Sequence, residues 1–329
     1  MSDPQLSLEL IRQAQERIAG YVHRTPLVHS TSLSKRLGAD VFLKLECLQK
    51  TGSFKPRGAF NKLLTLTPTE RAAGVVGVSG GNHAQGVAYA ATRLGIKSTI
   101  CMPASTPANY LDATRDYGAE IVLCPHIAAA FVEARRRREA GMTLVHPFDD
   151  PLIAAGQGTI GLEIFEEQPD VSRVYVSIGG GGLIAGVANA LRSLSPEARI
   201  IGVETSGADA MARSLAENRL VELSEITSIA RTLGSPQVCE FTLNAVKELV
   251  DDVLVVDDAA TFQALEYLLE RTKLLTEPAA ACTLVAAERQ RASFSPDEKI
   301  VLLLCGGNVS LSDLAEYRRR FSHGAREGE

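Results

Sequence analysis

Apolar residues along this chain gather in short unbroken runs, separated by longer stretches in which they recur every three to four positions. The runs VFLKLE (41–46), GVVGVS (74–79), STICMP (98–103), EIVLCP (120–125), VYVSIG (174–179), RIIGVE (199–204), DVLVV (252–256) and KIVLLLC (299–305) predict strands. They do not alternate with polar residues, which fits strands covered on both faces, as in parallel sheets. Between them, AQGVAYAATRLG (84–95) and LIAGVANALRSL (183–194) have the spacing of helices packed on such a sheet. An α/β fold is expected. No repeat of about 20–50 residues, low-complexity tract or linker interrupts the pattern, so composition alone marks no domain boundary.

Composition narrows the class of molecule. The 329 residues are 45% hydrophobic and 22% charged, the balance of a globular protein able to bury a large core. Lys and Arg number 34 against 39 Asp and Glu, a net charge of −5, and aromatics make up 5%. That argues against a nucleic-acid partner. No apolar stretch approaches the roughly 18 residues of a membrane span, and the first thirty residues lack the apolar core of an export signal. A cytoplasmic protein without a membrane partner is expected. Cysteines 47, 101, 124, 239, 282 and 305 form no CxxC pair, which reads as reduced thiols without a zinc site.

Four segments carry candidate chemistry. In KLECLQKTGSFKPRGA (44–59), Lys55 follows a strand and a Thr-Gly-Ser turn and precedes Pro56, a residue suited to a helix start. A helix N-terminus disfavours an ammonium, which suits an amine that forms a Schiff base. An ordinary exposed lysine is the competing reading. In VSGGNHAQG (78–86) a glycine turn between strand and helix aims backbone N–H groups at one spot, a place for an anion, with Ser79 and Asn82 adding side-chain hydrogen bonds. His83 reads as a capping or buried histidine. In SIGGGGLIAG (177–186) four glycines between strand and helix suggest a phosphate cradle. Gly180, Gly182 and Ala185 also satisfy a relaxed dinucleotide fingerprint, and Glu204 stands where a ribose-binding acid belongs, so an oxidoreductase stays open. In LLLCGGN (302–308), Cys305 ends a strand at the sheet edge where ligands bind, or is simply an inert buried thiol.

Taken together and in this order, these segments resemble the serine/threonine dehydratase and serine racemase family of fold type II pyridoxal-phosphate enzymes. RTPL (24–27), SFKPRGA (53–59), SGGNHAQG (79–86), ATRDYGAE (113–120), HPFDDP with GQGTIGLEI (146–164), GGGGL (179–183), TEPAAA (276–281) and CGGN (305–308) carry the resemblance over nearly the whole chain. It implies two open, twisted, mostly parallel sheets flanked by helices. A large cofactor domain would comprise 1–64 and 147–329, and a small domain at 65–146 would close over the substrate. Lys55 would hold pyridoxal 5'-phosphate and act as the base, with Phe54 packing on its ring and Asn82 bonding its 3-hydroxyl. Gly179, Gly180, Gly181, Gly182 and Leu183 would hold the phosphate, Glu277 would be a further cofactor-binding residue, and Cys305 would meet the pyridine nitrogen. Ser79, Gly81, Asn82 and His83 would clamp the carboxylate of a small amino-acid substrate. The implied reaction is an ammonia-lyase of β-hydroxy amino acids in a homodimer, with racemisation as the alternative on the same fold and a silent binding protein as a third reading.

Departures from the family pattern refine this. Family racemases resemble one another in a serine just after the position of Ser79, and here that residue is Gly80, which has no proton to give. Members with a divalent cation use the equivalents of Glu204, the Ala208 carbonyl and a further acid whose place is taken here by Ala210. Arg231 and Thr232 replace an Asp-Gly pair, and Tyr110 stands where lysine is usual, so a larger substrate such as phenylserine, or an acidic one such as hydroxyaspartate, comes into view.

Overall fold

The apolar runs become strands and the periodic stretches become helices in the computed structural model of the chain, which describes residues 5–321. Ten strands are present there: β1 Leu27–His29, β2 Asp40–Lys44, β3 Val75–Val78, β4 Ser98–Pro103, β5 Glu120–Cys124, β6 Thr143–Val145, β7 Arg173–Ser177, β8 Arg199–Thr205, β9 Asp252–Val256 and β10 Lys299–Leu303. Every pairing is parallel except β1 with β2. The residues divide into two units. One comprises the chain up to Arg24, Gln49–Glu166 and Gly181–Pro196, and the other comprises Thr25–Leu48, Glu167–Gly180 and the chain from Glu197 onward.

The first unit contains a four-stranded sheet in the order β5-β4-β3-β6. All residues of β3 are buried, and Phe60, Leu63, Val87, Ala88, Ile100 and Ile153 belong to the core around it. Small residues let the helices approach. A Cβ on Gly156, in the helix Pro151–Glu167, would sit 2.6 Å from the Arg57 carbonyl oxygen. The Arg57 guanidinium is buried there and holds Glu163 through two hydrogen bonds, of 2.6 and 2.9 Å, while also donating to Thr159. Two charges out of water need this many donors and acceptors. The Arg of SFKPRGA and the Glu of GQGTIGLEI therefore tie helix to helix within this unit.

The second unit contains a six-stranded sheet in the order β1-β2-β10-β7-β8-β9. Its central strand β7 is buried along its whole length, and the helix Pro278–Gln290, built from PAAACTLVAA, packs against β7, β8, β9 and β10. The two strands absent from the apolar pattern are β1 and β6, each three residues long. β1 is an edge strand, half-buried at Leu27 and exposed beyond it, so no hydrophobic run marks it.

Candidate active site

Lys55 is the first residue of the helix Lys55–Leu64, with Phe54 at the cap position and Pro56 in the first turn. The proline ring presets the helical φ, and its missing N–H falls where no intrahelical partner exists. Lys55 Nζ donates to the Pro147 carbonyl at 3.1 Å and lies 5.0 Å from the centre of the Phe54 ring. The amine thus meets a neutral carbonyl acceptor and an aromatic face. The helix Asn82–Arg93 packs so closely against this residue that a Cβ on Gly86 would stand 2.9 Å from Lys55 Cβ. Gly86 is the last residue of SGGNHAQG, and close packing against the lysine is its role in the motif. Ser53, two residues before the lysine, is fully buried, and its hydroxyl has no hydrogen-bond partner among the described residues.

The turn after β3 belongs to the same unit. Ser79 Oγ accepts from Gly81 N–H at 3.0 Å, closing the turn, and the helix begins at Asn82, which is buried. His83 is buried and donates from Nε2 to the Val145 carbonyl at 2.9 Å. Burial, and after it the neighbouring Lys55 cation, lowers its pKa from 6.5 to about 3. It is a neutral donor. At the other end of the glycine loop, Gly181 caps the helix Gly182–Leu194 with φ 93°, a left-handed conformation that glycine adopts at little cost. A Cβ on Gly182 would stand 2.9 Å from Phe148 Cβ, and Leu183 is buried. The first turn of this helix presents the backbone N–H groups and partial positive charge that favour an anion.

The second unit holds the remaining candidates. Gly179 abuts Leu233, whose Cα would be 3.1 Å from a Cβ at that glycine. Cys305 follows β10 and is buried, and its thiol is pushed well up by desolvation and then by the Glu277 carboxylate. It stays a neutral thiol at physiological pH. Glu277 caps the helix Pro278–Gln290, donates its N–H to the Gly306 carbonyl at 3.1 Å, and accepts from Thr232 Oγ1 at 2.8 Å. Thr232, one of the residues that depart from the family pattern, therefore bonds directly to a candidate site residue. Ser177 donates to the Ala279 carbonyl at 2.5 Å and lies 3.7 Å from Cys282 Sγ. Thr276 is fully buried, with a hydroxyl that has no partner among the described residues. Arg231 is exposed, 3.8 Å from Asp313, and Tyr110 is buried on the helix Ala108–Asp116.

Glu204 proves to be structural. Its two carboxylate oxygens accept from the backbone N–H groups of Met211 and Ala212, at 3.0 and 2.8 Å, at the start of the helix Ala210–Glu217. Those oxygens are committed to the helix, not to a ribose. Asp209 is taken by the Arg213 guanidinium at 3.0 Å, and Ala208 N–H bonds to Thr205. Backbone donors thus engage both oxygens of Glu204, and an arginine engages one oxygen of Asp209. Among the described residues no cluster of three or more His, Cys, Asp and Glu could hold a metal.

A lysine at a helix start, a glycine turn leading into a second helix and a glycine loop leading into a third are the arrangement expected of a cofactor enzyme of the pyridoxal-phosphate class. The family described as "Pyridoxal-phosphate dependent enzyme" matches residues 18–306, and the chain belongs to it. An L-threonine ammonia-lyase of Geobacter sulfurreducens is 45% identical over 315 residues, covering 94% of this chain and 77% of the relative. The maize serine racemase structure superposes with a TM-score of 0.90 at 38% identity, over 97% of this chain and 99% of that one. A threonine deaminase structure from T.th. does so with a TM-score of 0.87 at 41% identity, over 93% and 99% of the two chains. The fold is the fold type II arrangement of these neighbours. An oxidoreductase reading of the glycine loop is thereby set aside.

The residues fit the cofactor. The helix that Gly181 caps has no side-chain cap on its first N–H groups, which suits a phosphate, and the buried Ser53 and Thr276 hydroxyls, close in sequence to Lys55 and Glu277 respectively, have no hydrogen-bond partner among the described residues. Ser53, Gly86 and Thr276 escaped sequence reasoning. All three sit inside the quoted motifs, but a hydroxyl without a partner and a contact across two helices are properties of three dimensions.

Proposed function

We propose that the chain is a pyridoxal-phosphate-dependent ammonia-lyase that converts a β-hydroxy amino acid to a 2-oxo acid and ammonia. When bound, pyridoxal phosphate supplies an electron sink that makes the α-hydrogen of the substrate acidic. The chain's own residues do the rest. Lys55 would hold the cofactor through its amine and would serve as the base at the substrate α-carbon. Gly179 to Leu183 would hold the phosphate by backbone N–H groups, Phe54 would pack on the ring, and Asn82 would bond its 3-hydroxyl. Ser79, Gly81, Asn82 and His83 hold the substrate carboxylate, and a neutral His83 binds it as a hydrogen-bond donor. Cys305, kept as a thiol, would leave the pyridine nitrogen largely unprotonated, a weaker electron sink with which elimination competes well against transamination.

The observation that carries this reading is Lys55 Nζ, held at 3.1 Å by a neutral carbonyl at the start of a helix against which Gly86 allows the Asn82 helix to pack. Gly80 favours elimination over racemisation, because it offers no proton to the second face of the α-carbon. The test is release of 2-oxo acid from L-threonine, L-serine, L-threo-phenylserine and threo-hydroxyaspartate, with chiral analysis of the remaining amino acid. We expect threonine or serine turnover that falls by roughly 10²-fold or more in Lys55→Ala. Accumulation of D-amino acid without 2-oxo acid would move the reading to racemisation. The best substrate of the four reports what Tyr110, Arg231 and Thr232 select.

The large domain of 1–64 with 147–329 and the small domain of 65–146 belong to this proposal, as do a cytoplasmic location and a homodimer. Sedimentation equilibrium is expected to give about twice the 35.2 kDa chain mass. A monomer at micromolar concentration would remove the dimer from the proposal.

A further inference from the structure

Strands β3 and β4 are parallel neighbours, with Val78 opposite Cys101, so the segments leaving their carboxyl ends run side by side within one unit. That edge of a parallel sheet is where ligands bind. One segment is the Ser79–Gly81 turn, and the other contains Thr106. A Cβ built on Gly80 would lie 2.8 Å from Thr106 Oγ1 and 3.6 Å from Pro103 Cδ, so the threonine side chain fills the space that a side chain at residue 80 would take. Thr106 is 9% exposed, and its hydroxyl has no hydrogen-bond partner among the described residues. Its own turn is closed without that hydroxyl, by Thr106 N–H bonding to the Pro103 carbonyl at 3.0 Å. A buried hydroxyl with nothing to bond is costly unless a ligand completes it. Beside it, the start of the Asn82 helix offers backbone N–H groups and partial positive charge, which suit a carboxylate.

We propose that the Thr106 hydroxyl is a substrate-binding group, standing over Gly80 and donating to the amino-acid carboxylate held at the start of the Asn82 helix. The inference rests on the lyase reading above. Gly80 and Thr106 act as a matched pair in which the hydroxyl comes from the neighbouring strand's loop.

The test uses holoenzyme and 2-methyl-L-serine, which lacks an α-hydrogen and so binds without turnover, titrated by the absorbance change of the bound cofactor. Thr106→Val is expected to weaken binding roughly tenfold or more, and Thr106→Ser to stay within about threefold of wild type. Urea midpoints report whether each variant is folded, with Thr106→Ala replacing the valine variant if that one is not. A second readout needs no ligand: Gly80→Ala alone should lower the urea midpoint, because its methyl meets the hydroxyl, and adding Thr106→Ala should restore it. Wild-type affinity in a folded Thr106→Val, or equal losses in the valine and serine variants, overturns the inference alone. Wild type that shows no response to any amino acid removes the lyase reading and this inference with it.

Discussion

A histidine buried against a carbonyl and facing an ammonium has every reason to stay neutral. His83 is in that position, its pKa lowered to about 3 from 6.5, first by burial and then by Lys55. In the unfolded chain the ring takes up a proton below its ordinary value, while in the folded protein it does so only near the lowered one. Between those values the unfolded state binds more protons, so stability falls as pH falls. The contribution is fully present above about pH 6.5. Urea midpoints measured from pH 7.5 down to 5 are expected to decline, and His83→Gln, which keeps a donor for the Val145 carbonyl, should flatten that decline. An unchanged slope would mean that His83 takes up a proton in the fold. The sequence read His83 as buried or capping, and its burial was legible in the apolar helix that follows. Its pairing with a carbonyl of another strand was not, because nothing local in the sequence encodes that contact.

Close packing between helices sets the position of the amine. Gly86 lets the Asn82 helix lie against the first turn of the Lys55 helix, and any side chain there meets Lys55 itself. Gly86→Ala is expected to cost about 1–3 kcal/mol of stability and to lower cofactor loading, since its methyl displaces the lysine. Chemical denaturation together with the absorbance of bound cofactor checks both effects, and full loading at wild-type stability would show that the helices can give way. At this scale the sequence was most legible where a strand leaves an unbroken apolar run. STICMP and DVLVV match β4, which is buried, and β9, a half-buried edge strand, residue for residue. It was least legible at β1 and β6, which are too short to leave an apolar run. The run VFLKLE continues past the end of its strand: β2 stops at Lys44, and the buried Glu46 opens a 3-10 turn.

At the scale of the whole molecule, both units carry candidate site residues. The glycine run is divided between them after Gly180, and Lys55, the Ser79–His83 turn and the start of the Gly182 helix fall in one unit, while Glu277 and Cys305 fall in the other. The order of motifs along the chain was enough to bring out the family, because strand–glycine–helix junctions recur wherever a parallel sheet offers its carboxyl edge to a ligand. The partners of Glu204 were not visible in that order. An acid at the end of a strand can face a ribose, a cation or the next helix, and only the fold shows that it caps the next helix. Lys55 is the amine proposed to carry the cofactor. Borohydride treatment of the holoenzyme, which fixes pyridoxal phosphate irreversibly to the amine holding it, followed by peptide mass mapping, tests this directly. The added mass is expected on the peptide containing Lys55 and nowhere else, whereas label on another lysine, or none on a yellow protein, would contradict that assignment.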